Sequence, residues 1–127
     1  VEPHRPSAVE VAPVLNYETI TLLEGLGSRS DFMEKLIAVF IDDNVELVRR
    51  IDEALEQKRL SEVRSLVHAM KGSAGSIGAD RLAQACSQLQ ELSEGDLRLR
   101  GKVHSGRLRG EFDAARGELT DYLRKRR

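Results

Sequence analysis

The chain has 127 residues, of which 40% are hydrophobic and 32% charged, and its formal net charge is −1. This length is enough for one domain with a single core, without disulfides or metal. The near-neutral charge argues against a protein that finds nucleic acid or a membrane surface by bulk charge. The chain also lacks an apolar run of membrane-spanning length and a signal-peptide core, so we expect a cytoplasmic protein.

Residues 1–13 hold all three prolines and show no sustained hydrophobic period. Such a segment is typical of a linker or disordered arm, and we therefore assign residues 14–127 to the folded domain. His4 in this arm and His104 share no ligand spacing with His68, so we predict no metal site.

A short first helix is predicted after Asn16, a residue favoured at the N-cap position. Leu15 precedes the cap and Ile20 follows at the fourth helical position, which is the spacing of a hydrophobic staple. Gly27 is expected to end this helix.

The longest predicted helix begins at a possible capping box, Ser28-x-x-Asp31, and runs to about Lys58. Asn44 interrupts its apolar stripe. The stripe comprises Met33, Leu36, Ile37, Phe40, Leu47, Val48, Ile51 and Leu55. Three carboxylates outside the stripe predict a solvated face rather than a metal site: Asp42, Asp43 and Glu46.

The next helix is predicted to begin at Ser61 or a neighbouring residue. Its apolar stripe comprises Val63, Leu66, Val67, Met70, Ala74 and Ile77. The glycines leave two possibilities, a helix that ends at Gly72 or one that continues to Ile77. Because the stripe stays in phase across the glycines, we predict continuation, with Gly78 as the terminator.

His68 lies roughly 140° from the centre of this stripe on a helical wheel, and is therefore expected to face solvent. Arg64, Lys71 and Gly72 border it at i−4, i+3 and i+4. An exposed imidazole is largely neutral at cytoplasmic pH and has a ring nitrogen free to attack. This arrangement suits a histidine that receives a phosphoryl group, whose charge Lys71 and Arg64 would stabilise, and passes it to a visiting protein.

Glycines inside a helix each cost about 1 kcal/mol relative to alanine. Close approach of another protein's backbone would compensate for Gly72 and Gly75. We therefore assign both glycines, together with Ser65, to a docking surface for the partner.

The segment His68-x-x-Lys71-Gly72-Ser73-Ala74-x-x-Ile77-Gly78-x-x-Arg81-Leu82 resembles the phosphorylation segment of histidine-containing phosphotransfer (HPt) domains, the relay modules of two-component signalling. The likeness extends more weakly over roughly residues 15–94. It implies a phosphorelay intermediate that carries phosphate between receiver-domain aspartates. Such a domain has no catalytic machinery or cofactor of its own, and Mg²⁺ is expected on the partner receiver domain.

A fourth helix is predicted from about Asp80 to Ser93, with core positions Leu82, Ala85, Cys86, Leu89 and Leu92. The single Cys86 is interpreted as a buried, inert thiol. The resemblance implies a hydrogen bond from Gln90 to the ring of His68, although a solvated glutamine is an equal alternative. Glu94 stands where some relatives carry a basic residue, and we expect it to point outward.

Residues 95–106 are polar, basic and rich in glycine, and we interpret them as a connector of uncertain order. A last helix is predicted from about Leu108. Its apolar face comprises Leu108, Phe112, Ala115, Leu119, Tyr122 and Leu123. The basic run Arg124-Lys125-Arg126-Arg127 is interpreted as a frayed, solvated helix end.

Together these elements predict an all-α fold, an up-down antiparallel four-helix bundle with a short additional N-terminal helix. We expect a monomer whose partners are the receiver domains of a hybrid sensor kinase and of a response regulator. The resemblance and the linker-like N-terminal segment suggest the C-terminal module of a bacterial hybrid sensor histidine kinase. The alternative function is a helical scaffold that binds a signalling partner without phosphotransfer.

Overall fold

The computed structural model describes residues 11–27 and 29–126, and within them it contains helices and no strand. The five helices are α1 Tyr17–Leu26, α2 Phe32–Glu56, α3 Leu60–Ile77, α4 Asp80–Gln90 and α5 Glu94–Lys125. Helices α2 to α5 form a bundle in which each packs on the next and α5 packs back on α2, while α1 packs against α2 and α3. The predicted four-helix bundle with an additional N-terminal helix is confirmed.

Helix α1 begins and ends where the sequence predicts. The Asn16 side chain accepts hydrogen bonds from the backbone N–H groups of Glu18 and Thr19, at 3.0 and 3.3 Å, which satisfies two of the free donors of the first turn. At the other end, Gly27 has extended backbone with φ −78°. A Cβ at Gly27 would lie 2.6 Å from Cγ of Phe32, so crowding rather than a left-handed conformation accounts for this glycine.

The predicted start of α2 is wrong in detail. Asp31 is itself the N-cap, immediately before Phe32, and its side chain makes no capping hydrogen bond. It pairs instead with Lys35 at 3.1 Å and with Arg29 at 3.4 Å. Asp31 therefore does not stand at the third helical position that the capping box requires, and Ser28 lies outside the described residues. The helix ends at Glu56, slightly before the predicted limit.

Helix α3 is continuous through Gly72 and Gly75, as predicted from the phase of its stripe. The predicted core residues of this helix are all buried. Gly78 ends the helix with φ 85°, a left-handed conformation that favours glycine, and its N–H is directed at the carbonyls of Ala74 and Gly75.

The predicted connector over residues 95–106 is wrong, because this segment forms the first turns of α5. The helix starts at Glu94, and the preceding Ser93 caps it by accepting from the N–H of Asp96 at 3.1 Å. Leu97, Gly101 and Ser105 continue the buried stripe of Leu108 toward the N-terminus. A Cβ at Gly101 would lie 2.5 Å from Cδ2 of Leu55, so α5 crosses α2 closely at this point.

Both ends of the described chain are attached to the bundle. Ala12 donates to Oε1 of Gln84 at 3.2 Å, and Arg81 donates to the carbonyls of Ala12 and Pro13 at 2.8 and 3.0 Å. The rest of the predicted arm, residues 1–10 with His4, lies outside the described residues. At the other end, Arg126 binds Glu24 of α1 at 2.7 and 3.0 Å. The basic run is therefore not simply a frayed end, although Arg127 lies outside the described residues.

Within residues 11–27 and 29–126, none of the five helices combines the length and the apolar character that crossing a membrane requires.

Candidate functional site

The outward face of α3 carries the predicted phosphoryl acceptor and docking residues together. Ser65, His68, Lys71, Gly72 and Gly75 are all exposed. They share this face because the opposite side of α3 is fixed in the core, where Val67, Met70 and Ala74 are fully buried. The direction in which His68 points is thus set by the packing of the residues on either side of it.

The imidazole of His68 has no hydrogen-bond or ion-pair partner within residues 11–27 and 29–126. An exposed ring without internal partners can present a nitrogen lone pair to a group carried by another molecule. The site on this chain is accordingly a surface position rather than a cavity.

The two glycines beside His68 leave bare helix surface. A Cβ built at Gly72 or at Gly75 would meet nothing within 4 Å, and neither residue has a positive φ. Neither internal packing nor backbone conformation therefore requires glycine at these positions. Their effect is to let another backbone approach α3 next to His68.

Arg64, one turn before His68, is bound to the end of α4. Its guanidinium donates from Nη1 to the carbonyl of Gln90 at 2.9 Å and from Nη2 to the carbonyl of Leu92 at 2.8 Å. The side chain of Gln90 in turn donates from Nε2 to the carbonyl of Arg64 at 3.4 Å. The structure thus brings Gln90 to the His68 turn, while the predicted bond from Gln90 to the ring and the predicted contact of Arg64 with phosphate stay predictions.

Cys86 of α4 lies close enough to Lys71 of α3 for the charge of the lysine to act on its thiol. Cys86 is fully buried, as predicted, and burial raises the pKa of its thiol to about 12, opposed in part by the positive charge of Lys71. Lys71 itself is exposed. Its ammonium group forms no ion pair with any described residue, and its charge remains available to an anion bound at His68.

A buried asparagine of α2, which packs against α3, supports the site and was not predicted to do so from the sequence. Asn44 of α2 is fully buried and donates from Nδ2 to the carbonyl of Phe40 at 2.8 Å and to Oγ of Ser73 at 2.9 Å. Its Oδ1 has no hydrogen-bond partner among the described residues. Because Ser73 follows Gly72, Asn44 joins α2 to the part of α3 that carries the two bare glycines. The sequence does contain a sign of this role, because Asn44 is a polar residue that interrupts an otherwise apolar stripe.

The acidic residues that the sequence predicts to face solvent are all exposed. Glu94 is exposed and pairs with Arg98 at 3.5 Å, as expected from its outward orientation. Asp42, Asp43 and Glu46 are exposed on α2. Across residues 11–27 and 29–126, no group of three or more histidines, cysteines and carboxylates has the arrangement of a metal site.

These features define a helical-bundle module that presents one unpartnered histidine, beside a free lysine and two bare glycines, on an open helix face. A protein-family model described as "Hpt domain" matches residues 35–119, which is more than half of the chain. The chain belongs to the Hpt domain family.

Individual relatives agree with this assignment. The phosphorelay intermediate protein YPD1 of Saccharomyces cerevisiae is 36% identical over 64 residues, covering 50% of this chain and 38% of that protein. Pseudo histidine-containing phosphotransfer protein 2 of rice is 35% identical over 74 residues, covering 55% of this chain and 49% of that protein. The chain spans about half the length, or less, of the curated relatives it matches.

A solved structure supports the fold over most of the chain. The histidine-containing phosphotransfer protein MtHPt2 of Medicago truncatula superposes with a TM-score of 0.74 at 26% identity, covering 88% of this chain and 78% of that one.

Proposed function

We propose that this Hpt domain is a phosphorelay intermediate, which accepts a phosphoryl group on His68 from the aspartate of one receiver domain and passes it to a second. The observation that carries the proposal is the exposed, unpartnered imidazole of His68 on a helix face bared by Gly72 and Gly75. Membership of the Hpt family supports it.

The transfer step needs little from this chain. The unprotonated nitrogen of neutral His68 attacks the phosphorus of the receiver's aspartyl phosphate, so that an N–P bond forms and the P–O bond to the acyl oxygen breaks. The carboxylate leaves with the bonding electron pair, and the proton on the other ring nitrogen stays on the phosphoimidazolium. Reversal of the same step on a second receiver regenerates the free histidine.

The groups needed for transfer are divided between this domain and the receiver. Positioning and electrostatics account for most of phosphoryl-transfer catalysis, and we assign Mg²⁺ and the remaining catalytic groups to the receiver. On this chain, Lys71 stabilises the charge of the phosphoryl group, and Gln90 contacts the ring. Gly72, Gly75 and Ser65 form the surface on which the receiver docks.

A transfer assay tests the proposal. The purified domain is incubated with a phosphorylated receiver, and the acquired label is then challenged with acid and with a second, unphosphorylated receiver. We expect a label that is lost in acid and that moves to the second receiver. His68→Gln should abolish labelling, whereas the matched control His104→Gln, on α5, should label normally. Labelling of the His68→Gln variant would overturn the assignment.

A second candidate function is a scaffold that binds a receiver without accepting phosphate. It is favoured by the similarity to a relative whose own name marks it as a pseudo phosphotransfer protein. The exposed His68, which has no partner among the described residues, favours the relay. Receiver binding measured by titration calorimetry, in the absence of any labelling, would support the scaffold instead.

We propose a monomer that acts in the cytoplasm as a module of a bacterial hybrid sensor kinase, on the resemblance and on the proline-containing segment before α1. Sequencing the gene that encodes this segment, together with its flanking regions, tests whether the domain is a module of a hybrid sensor kinase.

A further inference from the structure

The junction of α3 and α4 beside His68 is held by a reciprocal set of hydrogen bonds. Arg64 reaches across with both terminal nitrogens to the carbonyls of Gln90 and Leu92, at 2.9 and 2.8 Å. The amide of Gln90 returns a bond of 3.4 Å to the carbonyl of Arg64. In an α-helix the carbonyl of residue 64 also accepts from the N–H of residue 68. The amide of Gln90 is therefore held at the turn that carries His68.

The two carbonyls bound by Arg64 lie at and just beyond the C-terminus of α4, where they have no hydrogen-bond partner within a helix. Gln90 is the last residue of α4 and Leu92 lies in the turn before the Ser93 cap of α5. Carbonyls at a helix C-terminus have no partner within the helix and carry partial negative charge, so a guanidinium is a suitable partner for them. A planar guanidinium can span two carbonyls at once, which a lysine ammonium on a flexible stem does not reproduce.

We propose that Arg64 is a positioning residue, which clamps the end of α4 so that the amide of Gln90 is held beside the ring of His68, and that it is not a ligand of the phosphoryl group. The proposal rests on the proposed function in taking His68 as the phosphoryl acceptor and Gln90 as the residue that contacts its ring. Two of the five N–H donors of Arg64 are bound to these carbonyls, which holds the plane of the guanidinium against the end of α4 and directs its charge to the helix end rather than to the ring of His68.

Four variants separate clamping from charge: Arg64→Gln, Arg64→Lys, Gln90→Ala and the double variant Arg64→Lys/Gln90→Ala. The matched control is Arg59→Gln. Arg59 lies at the start of the same helix but pairs with Glu62 of its own helix at 2.7 Å. Each protein is phosphorylated chemically with phosphoramidate, so no receiver is needed, and the lifetime of phosphohistidine is measured. The ¹⁵N shifts of the His68 ring are recorded in the unphosphorylated proteins.

If Arg64 acts as a clamp, Arg64→Lys and Arg64→Gln should shorten the lifetime alike, by about threefold or more, and Gln90→Ala should do the same. The double variant should be no worse than Gln90→Ala, because both changes remove one function. The ring shifts of the Arg64 variants should move in the same direction as those of Gln90→Ala, with Arg59→Gln unchanged. Thermal melts identify any variant that fails to fold, in which case the remaining Arg64 variant carries the test.

A wild-type lifetime in Arg64→Lys together with a shortened one in Arg64→Gln would show that charge alone matters and would overturn the proposal. Additive losses in the double variant would do so as well. Failure of the relay itself gives a different result, since the domain would then take no label from a phosphorylated receiver while the ring shifts still report on the clamp.

Discussion

The charge of Lys71 has no opposing side chain among the described residues, and this makes the residue a sensitive probe of the site. Lys71→Ala should shorten the phosphohistidine lifetime or slow transfer by about twofold to fivefold, because one exposed charge interaction is worth at most about 1 kcal/mol. Lys35→Ala, a change of the same kind on α2, should have no effect. Titration calorimetry with a receiver distinguishes the roles, and a loss confined to affinity would make Lys71 a docking residue.

Cys86 is predicted to be chemically silent in the folded protein. Burial raises its pKa to about 12, so the reactive thiolate is scarce at ordinary pH. Alkylation by iodoacetamide at pH 8 should therefore occur only after unfolding. Because the folded pKa lies above the unfolded value, the contribution of Cys86 to stability is complete below about pH 9 and is lost as the pH rises toward 12. Rapid alkylation of native protein would show that α3 and α4 separate readily.

For single residues, the sequence predicted which side chains face solvent and which are buried better than it predicted the contacts that they make. The helical wheel placed His68 and Lys71 outside and Cys86 inside, because burial follows the period of the apolar stripe. It could not predict that Arg64 binds the end of α4, since that contact joins residues 26 and 28 positions apart. The link from Asn44 to Ser73 was missed for the same reason.

Helix α3 carries two glycines, Gly72 and Gly75, at positions where the fold does not need them. A substitution at either position can therefore test docking of the receiver without disturbing the packing of the bundle. Gly72→Gln should raise the free energy of unfolding by about 0.5–1 kcal/mol, because a better helix former replaces glycine in open space. It should also reduce transfer from a phosphorylated receiver by about tenfold or more, because the new side chain displaces the receiver from its reactive geometry.

Gly117→Gln on α5 is the matched control, since a Cβ there also meets nothing within 4 Å. It should give a similar gain in a thermal melt with transfer unchanged. Normal transfer by the Gly72→Gln variant would contradict the close-approach interpretation of this face, and lost stability would show that Gly72 has a packing role that the structure does not reveal.

Among the helices, the bounds of α1 and α3 were predicted closely, whereas the start of α5 was not. Asn16 and Gly78 are local signals, a side-chain cap and a left-handed terminator, and local signals can be read from sequence. The first turns of α5 place Gly101 and Ser105 in the buried stripe, so the stripe did not look apolar. Tertiary contact explains both residues, since Gly101 makes room for Leu55 and Ser105 donates to Oδ1 of Asp52 at 2.9 Å.

At the scale of the whole molecule, the bundle serves to hold one face of α3 in place. Helix α4 is joined to that helix through Arg64 on one side, and α2 is joined through Asn44 on the other. The backbone of the proposed acceptor, His68, is thus held from both sides while its side chain stays exposed, which suits the proposed exchange of phosphate with more than one receiver. The fold class could be predicted because helical periods recur along the chain, whereas the links on either side of α3 required the structure.

If His68 alone carries the phosphoryl group, mapping the modified residue will show it. After incubation with a phosphorylated receiver, the domain is digested at neutral pH and its peptides are sequenced by electron-transfer fragmentation. We predict a single phosphoryl group on His68, absent from a sample treated with acid. Modification of Ser73, Ser76 or His104 in its place, or an acid-stable label, would contradict the account.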